Sequence, residues 1–143
     1  ITNQSGIYRE LFSWEAYEEV TKKMLETIGH PYKISAIYAN GDGPKEVLPK
    51  ESWRKPNPNM ILGAASEFNI DLNNSIFIGD RLTDLIAAKN AGISNLMHVL
   101  TGHGKKERNS IIKKFNGPLN KNLYLLDDLA CFPKTKFFNI KSG

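Results

Sequence analysis

Hydrophobic residues in the first part of the chain recur every three or four positions, which is typical of one face of a helix. The residues of this group are Tyr17, Val20, Met24 and Ile28. Ser13 precedes the group and suits the N-cap position, while Gly29 follows it and suits the residue after the last turn. The pattern therefore predicts a helix between Ser13 and Gly29.

Shorter apolar runs and further helical repeats follow in alternation. The runs predict strands at 34–39, 75–79, 95–100 and 123–126; the repeats predict helices at 58–68, 82–91 and 105–115, and a short one after 128. Strands that alternate with helices form crossover units and a mostly parallel sheet. We therefore expect a three-layer, Rossmann-like α/β fold with helices on both faces of the sheet.

Domain boundaries follow from the same pattern. The sequence shows neither an internal repeat nor a low-complexity linker, so we expect one domain over 1–143, with 116–143 as its variable tail. Ile1 has the character of the last residue of a buried strand that runs into a turn at 2–6. We therefore expect that further residues, including the first strand of the sheet, precede Ile1.

Composition indicates an ordinary globular chain. Of its 143 residues, 41% are hydrophobic and 24% charged, a balance typical of one buried core. No apolar run approaches the roughly 20 residues that cross a bilayer, and the start lacks the layout of a signal peptide. We therefore expect a cytoplasmic protein without a membrane partner.

The net charge of +4 could indicate an anionic partner. The densest basic cluster lies on one predicted helix face, which we expect to be solvated, and consists of Lys105, Lys106, Arg108, Lys113 and Lys114. No aromatic residues are interleaved with this cluster to stack on bases. The pattern argues against a nucleic-acid partner, and it carries no signal for an oligomeric state.

Polar segments follow or precede the predicted elements at one edge of the sheet, where ligands of parallel α/β sheets collect. They are Thr2-Asn3-Gln4-Ser5, Arg54-Lys55 and Gly79-Asp80-Arg81 with Asp84. We expect these segments to converge on one site.

The first two segments suit a phosphate ester. A transferred phosphoryl group carries negative charge on its oxygens, so its site needs neutral donors, a fixed cation and usually Mg²⁺. Thr2 offers a hydroxyl, Lys55 a compact charge, and Arg54 a planar fork for a second phosphate or a substrate hydroxyl. Two structural alternatives stay open: an ordinary turn that begins a helix, and a basic pair on a solvated loop.

The third segment suits a metal ion. Mg²⁺ prefers carboxylate oxygens and keeps several waters. Asp80 is therefore the candidate direct ligand, while Asp84, four residues later, would hold a metal-bound water or orient a basic neighbour. The alternative is that both carboxylates only cap the following helix.

The three segments stand in the order T-N-Q-S-G-I, R-K-P-x-P and G-D-x-x-x-D. This order resembles the haloacid dehalogenase (HAD) superfamily, and most closely its branch of heptose-bisphosphate and histidinol-phosphate phosphatases. The resemblance covers about 1–104 and implies a cytoplasmic Mg²⁺-dependent phosphatase that acts on a small phosphorylated metabolite, such as a sugar bisphosphate. It implies catalytic roles for Thr2, Lys55 and Asp80. The implied substrate-binding residues are Thr2, Asn3, Gln4, Ser5, Arg54, Lys55 and Arg81.

The chain departs from the family in two respects. It contains no D-x-D-G sequence, although the family's nucleophilic and acid–base aspartates lie in such a motif upstream of the T-N-Q-S turn. We therefore expect the chain alone to be inactive. The stretch 40–53 also lacks the Cys and His of the zinc loop found in the resembled heptose phosphatases, which argues against a structural zinc.

Alternatives to a heptose-bisphosphate phosphatase remain at this stage. Histidinol phosphate or a polynucleotide 3′-phosphate would suit the same chemistry. A non-catalytic phosphosugar-binding or interaction domain would also fit a chain without the nucleophile. These hypotheses differ in whether the complete protein turns over a phosphate ester, and which one.

Overall fold

A computed structural model describes residues 1–45, 48–115 and 122–132. The chain divides into two compact units, Ile1–Asn69 and Ile70–Gly143, which we describe separately. No helix in these described ranges has the length and apolar character needed to cross a membrane.

The first unit contains a two-stranded parallel sheet and three helices. Its elements are β1 (Thr2–Asn3), α1 (Ser5–Tyr8), α2 (Trp14–Ile28), β2 (Ala39–Asn40) and α3 (Asn59–Phe68). β1 and β2 pair in parallel, with Thr2 opposite Ala39 and Asn3 opposite Asn40. Thr2 and Asn3, which we expected in a turn after a strand that ends at Ile1, are therefore paired in β1 itself, and Gln4 and Ser5 follow its carboxyl end.

Local signals determine the ends of α2 as predicted. The Ser13 hydroxyl accepts a hydrogen bond from the backbone N–H of Ala16 at 3.3 Å, which satisfies one of the unpaired amides of the first turn. Gly29 ends the helix with a φ of +60°, a conformation that glycine adopts without steric cost. The predicted helix is confirmed at both ends.

The predicted strand at 34–39 is only partly confirmed. Pairing begins near Tyr38, whose carbonyl accepts the Thr2 N–H at 2.8 Å, and the strand itself is β2, Ala39–Asn40. In the parallel register of β1 and β2, with Thr2 opposite Ala39, residues 34–37 lie opposite positions numbered below 1.

The apolar face of α2 is turned to a cavity rather than into a packed core. This cavity has a volume of about 660 Å³ and is lined by residues between 1 and 37, among them Ala16, Tyr17, Val20 and Met24. No residue of α2 is buried. The Trp14 ring packs edge-on against Tyr17, with ring centroids 5.7 Å apart.

The second unit is a three-stranded parallel sheet with two connecting helices. Its elements are β3 (Ile76–Gly79), α4 (Leu82–Asn90), β4 (Asn95–Val99), α5 (Gly104–Phe115), β5 (Leu123–Leu126) and a short 3₁₀ helix (Leu129–Cys131). The strand order is β3-β4-β5, and Gly79 lies opposite His98, which in turn lies opposite Leu125. The predicted strands and helices of this part are confirmed to within one residue.

The core of the second unit forms where α4 and α5 cover β4. Leu85, Met97 and Ile111 are fully buried, and burial of each stabilises the fold by about 1.5–3 kcal/mol. Gly104 begins α5 so close to β4 that a Cβ atom there would lie 1.9 Å from the Val99 carbonyl oxygen. Only glycine fits at this position.

The end of the chain differs from expectation at Cys131. Its apolar neighbours predict a packed thiol, but the side chain is exposed, because the short 3₁₀ helix buries none of its residues. The Asp128 carboxylate accepts hydrogen bonds from Ala130 and Cys131 and begins this helix. Of the predicted variable tail, 116–121 and 133–143 lie outside the described residues.

Candidate functional site

Lys55 is the most buried cation of the predicted site. Its side chain is only 7% exposed, and its ammonium donates to the Ile1 carbonyl at 3.1 Å. A buried ammonium is stable only when acceptors replace its water, and the start of β1 provides one. Lys55 is thus a fixed positive charge in the first unit, rather than a mobile surface charge.

Asn3 holds the backbone of Lys55 in register with β1. Its side-chain oxygen accepts the Lys55 N–H and its amide donates to the Lys55 carbonyl, both at 3.1 Å. The amide thereby uses both its donor and its acceptor on one residue, 52 positions away. We predicted Asn3 as a substrate-binding residue, and the structure shows that its side chain also pairs with the backbone of Lys55.

Hydrogen bonds also involve the other candidates near β1, namely Thr2, Gln4 and Ser5. The Arg54 guanidinium donates to the Ser5 hydroxyl at 2.9 Å and to the Asp42 carbonyl. The Gln4 amide donates to the Thr2 hydroxyl at 3.0 Å. The structure therefore places the first-unit candidates around β1 in three hydrogen-bonded pairs: Asn3 with Lys55, Ser5 with Arg54, and Thr2 with Gln4.

Asparagine side chains brace the loop that carries Arg54 and Lys55. Asn57 donates to the carbonyls of Pro49 and Ser52, and Asn59 donates to those of Lys50 and Ser52, over 2.8–3.2 Å. Pro56 and Pro58 also restrict the backbone of this loop. The two asparagines on either side of Pro58 were the signal for this additional bracing, since amides commonly satisfy loop carbonyls.

Asp80 follows β3 in the second unit and is oriented by the loop after β4. One carboxylate oxygen, Oδ2, accepts the backbone N–H of His103 at 2.6 Å. Gly102, with a φ of +59°, lies under the carboxylate so closely that a Cβ atom would be 2.4 Å from Oδ2. No described residue of this unit donates to the other oxygen, Oδ1. His103 thus contributes its backbone amide to this contact.

Asp84 caps α4, as one of the two interpretations predicted. Its Oδ2 accepts the backbone N–H of Arg81 at 3.1 Å, and its side chain is 6% exposed. A Cβ atom on Gly79 would lie 2.6 Å from the Asp84 Cβ, so the glycine permits the carboxylate to approach the end of β3. The Arg81 side chain is exposed, and Glu107 of α5 accepts the Leu82 N–H at 3.4 Å.

His98 is buried directly behind Asp80. It is fully inaccessible to solvent, its Nε2 lies 3.2 Å from the Asp80 carbonyl, and its Nδ1 accepts from Arg108 Nε at 2.8 Å. Burial lowers the pKa of His98, and the positive charge of Arg108 adds to this effect, against the opposing influence of the Asp80 carbonyl and the carboxylates of Asp80 and Glu107. The imidazole is therefore held neutral.

The lowered pKa of His98 predicts a loss of stability in acid. Below the usual pKa of 6.5, the unfolded chain binds a proton that the folded protein does not, so the free energy of unfolding falls as pH falls, by at most about 1.4 kcal/mol per pH unit. Above pH 6.5 the contribution is fully present. Urea unfolding of metal-free protein between pH 7.5 and 5.5 (about one unit on each side of the usual pKa) measures this. The free energy of unfolding of His98→Gln should decline less steeply with falling pH than that of the parent. An equal decline in both proteins would contradict the assignment of this pH dependence to His98.

The donor set at Asp80 fits a magnesium ion. Mg²⁺ binds through one or two carboxylates and completes its shell with water and phosphate oxygens, and Asp80 offers an oxygen that the fold has not engaged. Within 1–45, 48–115 and 122–132, no group of three or more His, Cys, Asp or Glu side chains is arranged around a common point. An ion at Asp80 would therefore be held in the open manner typical of Mg²⁺ in phosphate chemistry.

Comparison with known proteins gives one family and a consistent set of relatives. The family model described as HAD-hydrolase-like matches residues 52–130. A D-glycero-β-D-manno-heptose-1,7-bisphosphate 7-phosphatase from Pasteurella multocida is 35% identical over 94% of this chain and 70% of its own length. A D-glycero-α-D-manno-heptose-1,7-bisphosphate 7-phosphatase from Photorhabdus laumondii is 33% identical over 90% and 70%.

A solved structure shows the same fold. The D,D-heptose 1,7-bisphosphate phosphatase from B. bronchiseptica, complexed with magnesium and phosphate, matches 90% of this chain and 66% of its own, with 31% identity and a TM-score of 0.73. The predicted fold class, helices and parallel strands in a Rossmann-like arrangement, is confirmed by this likeness. The chain spans about half the length of some relatives, such as 46% of one from Mesorhizobium japonicum.

Proposed function

Because the chain belongs to the HAD-like hydrolase family, we propose that it is the phosphate- and metal-binding part of a Mg²⁺-dependent heptose-bisphosphate phosphatase. The observation that carries the proposal is the burial of Lys55, whose ammonium donates to the Ile1 carbonyl and whose backbone is paired with the Asn3 side chain. The names of the relatives support the substrate class, since proteins named for either anomer of the heptose 1,7-bisphosphate align with nearly the whole chain.

The first unit provides the groups that bind the phosphoryl oxygens. Lys55 contributes a fixed charge, which loses little conformational freedom when an anion binds because the loop already holds it. Thr2 contributes a hydroxyl whose orientation is set by Gln4. Arg54, held by Ser5, presents its planar fork to the second phosphate or to a sugar hydroxyl.

The second unit provides the carboxylate for the metal. Asp80 would be the direct ligand of the metal ion, while the His103 amide holds its Oδ2. Asp84 keeps the turn before α4 in place through the Arg81 N–H, and the exposed Arg81 side chain remains a candidate contact for the substrate phosphate. When bound, Mg²⁺ neutralises charge that develops on the transferred phosphoryl group.

The covalent step needs a nucleophile that the chain does not contain. In the proposed reaction an aspartate carboxylate oxygen attacks phosphorus and the P–O bond to the sugar breaks, while the second aspartate of the motif gives its proton to the leaving sugar oxygen. That second aspartate then takes a proton from the water that hydrolyses the aspartyl-phosphate to inorganic phosphate. No D-x-D-G sequence occurs between residues 1 and 143. We propose that this motif lies in a segment that precedes Ile1 in the complete protein.

Turnover by protein expressed from the complete gene tests the proposal. We expect Mg²⁺-dependent release of phosphate from heptose 1,7-bisphosphate, with kcat/KM at least about tenfold higher than for histidinol phosphate or an oligonucleotide 3′-phosphate. A preference for either of the other substrates would contradict the proposed substrate class. If the complete gene encodes no D-x-D-G-T and its protein binds the sugar phosphate without turnover, the non-catalytic alternative would be supported instead.

A further inference from the structure

A continuous chain of hydrogen bonds links the end of β5 to the backbone of Asp80. Arg108 of α5 donates from Nη2 to the Leu126 carbonyl at 2.6 Å and from Nε to His98 Nδ1 at 2.8 Å. His98 Nε2 then lies 3.2 Å from the Asp80 carbonyl. All four residues belong to the second unit, and each occupies a different element or its end.

The chemistry of arginine fixes the direction of this chain. A guanidinium can only donate hydrogen bonds, so Nδ1 of His98 must be the acceptor and the ring proton must sit on Nε2. His98 therefore donates to the Asp80 carbonyl. Arg108 thus selects the tautomer with its proton on Nε2. In this tautomer Nε2 donates a hydrogen bond to the Asp80 carbonyl, whereas an unprotonated Nε2 would repel the carbonyl oxygen.

We propose that Arg108 and His98 are positioning residues for the metal ligand Asp80, an inference that rests on the metal site of the proposed function. The Asp80 residue is held at two points, its carbonyl by His98 and its Oδ2 by the His103 amide. Because the carbonyl and Oδ2 are both held, the position of the other carboxylate oxygen, Oδ1, is restricted as well. Mg²⁺ demands near-ideal octahedral geometry, so loss of one fixed point weakens binding even when the carboxylate remains.

Simple electrostatics makes the opposite prediction for Arg108, which gives the test a clear sign. The guanidinium carries a positive charge on the side of His98 away from Asp80, and a positive charge near a cation site disfavours the cation. Removal of Arg108 should therefore tighten Mg²⁺ binding if charge alone matters. The positioning role predicts weaker binding.

Mg²⁺ affinity, measured without substrate, separates the two effects. Mn²⁺ binding to protein expressed from the complete gene is followed by electron paramagnetic resonance, and Mg²⁺ is titrated as the competitor. We expect Arg108→Met to raise the Kd for Mg²⁺ about tenfold, a typical effect of losing an outer partner of a metal ligand. Lys106→Met, the same charge change at an exposed position of α5, should leave Kd unchanged or slightly lower.

Two substitutions at His98 test whether a side-chain N–H donor is enough to maintain Mg²⁺ affinity. Gln can place an N–H donor near the position of the imidazole Nε2, so His98→Gln should keep Kd within about threefold of the parent, whereas the apolar His98→Leu should raise it about tenfold. Thermal unfolding of the metal-free variants shows that each is folded. A purely structural role would make affinity follow stability instead of the presence of the donor.

Failure of the inference and failure of the proposed function give different results. If the parent protein binds Mg²⁺ and both Arg108→Met and His98→Leu bind it equally well, the positioning role is wrong and the metal site stands. If the parent protein binds neither Mn²⁺ nor Mg²⁺ at millimolar concentration, the metal site at Asp80 is wrong, and the inference is overturned with it.

Discussion

Asp80→Asn is expected to lower kcat/KM of the complete protein for heptose 1,7-bisphosphate by about a thousandfold, or ~4 kcal/mol of transition-state stabilisation. Asn has nearly the shape of Asp and can still accept the His103 N–H, which lies 2.6 Å from Oδ2 in the parent, so the turn should persist. What is lost is the negative charge that a hard cation prefers. Steady-state kinetics at several Mg²⁺ concentrations measures the change.

Asp71→Asn is the matched control for Asp80→Asn. Asp71 precedes β3 and accepts hydrogen bonds from Asn73 and Asn74, so the variant makes the same charge change in the same unit, away from the carboxyl end of the strand. We expect kcat/KM within about threefold of the parent. Equal activity of the parent and Asp80→Asn at limiting Mg²⁺ would contradict the assignment of Asp80 as a ligand.

Lys55→Met is expected to lower kcat/KM by about 10²–10³-fold, because the phosphoryl oxygens lose their fixed cation. The variant leaves the Ile1 carbonyl without its ammonium donor, so we also expect a loss of stability of about 1–3 kcal/mol. Thermal unfolding, run in parallel with the kinetics, distinguishes lost chemistry from lost structure.

Lys50→Met tests whether any lysine of the same loop would produce the effect of Lys55→Met. Lys50 is exposed, and its carbonyl, which accepts from Asn59, is retained in the variant. We expect activity close to that of the parent. A comparable loss in both variants would mean that the loop attracts the substrate through its general charge, and that the buried position of Lys55 has no special role.

Helix ends and short parallel strands could be predicted from the sequence because their causes are local. Ser13 and Gly29 bound α2 through contacts within one turn, and the unbroken apolar run of β3 lies beside β4 as expected. Of the strand predicted at 34–39, Ala39 lies in β2 opposite Thr2 of β1, a partner 37 positions away. The apolar run predicts the strand, but the partner and the register are not visible in the local sequence.

In the candidate site, too, local sequence predicts some residues and not the long-range contacts that support them. Lys55 and Asp80 could be proposed from residue type and position after a loop or strand, but their supports could not. Asn3 holds Lys55 across 52 positions, a distance over which sequence spacing carries no geometric information. Arg108 was assigned to a solvated basic face, yet it turns inward to His98, because one helix position in an exposed cluster can face the sheet.

The distribution of tryptophan has a consequence for folding studies. Trp14 and Trp53, the chain's two tryptophans, both lie within Ile1–Asn69, so indole fluorescence follows unfolding of that unit alone, while far-ultraviolet circular dichroism follows the helices of both. Coincident denaturant transitions of the two signals would show that 1–143 unfolds as the single cooperative domain expected from its sequence. Separate midpoints would show two units that unfold independently.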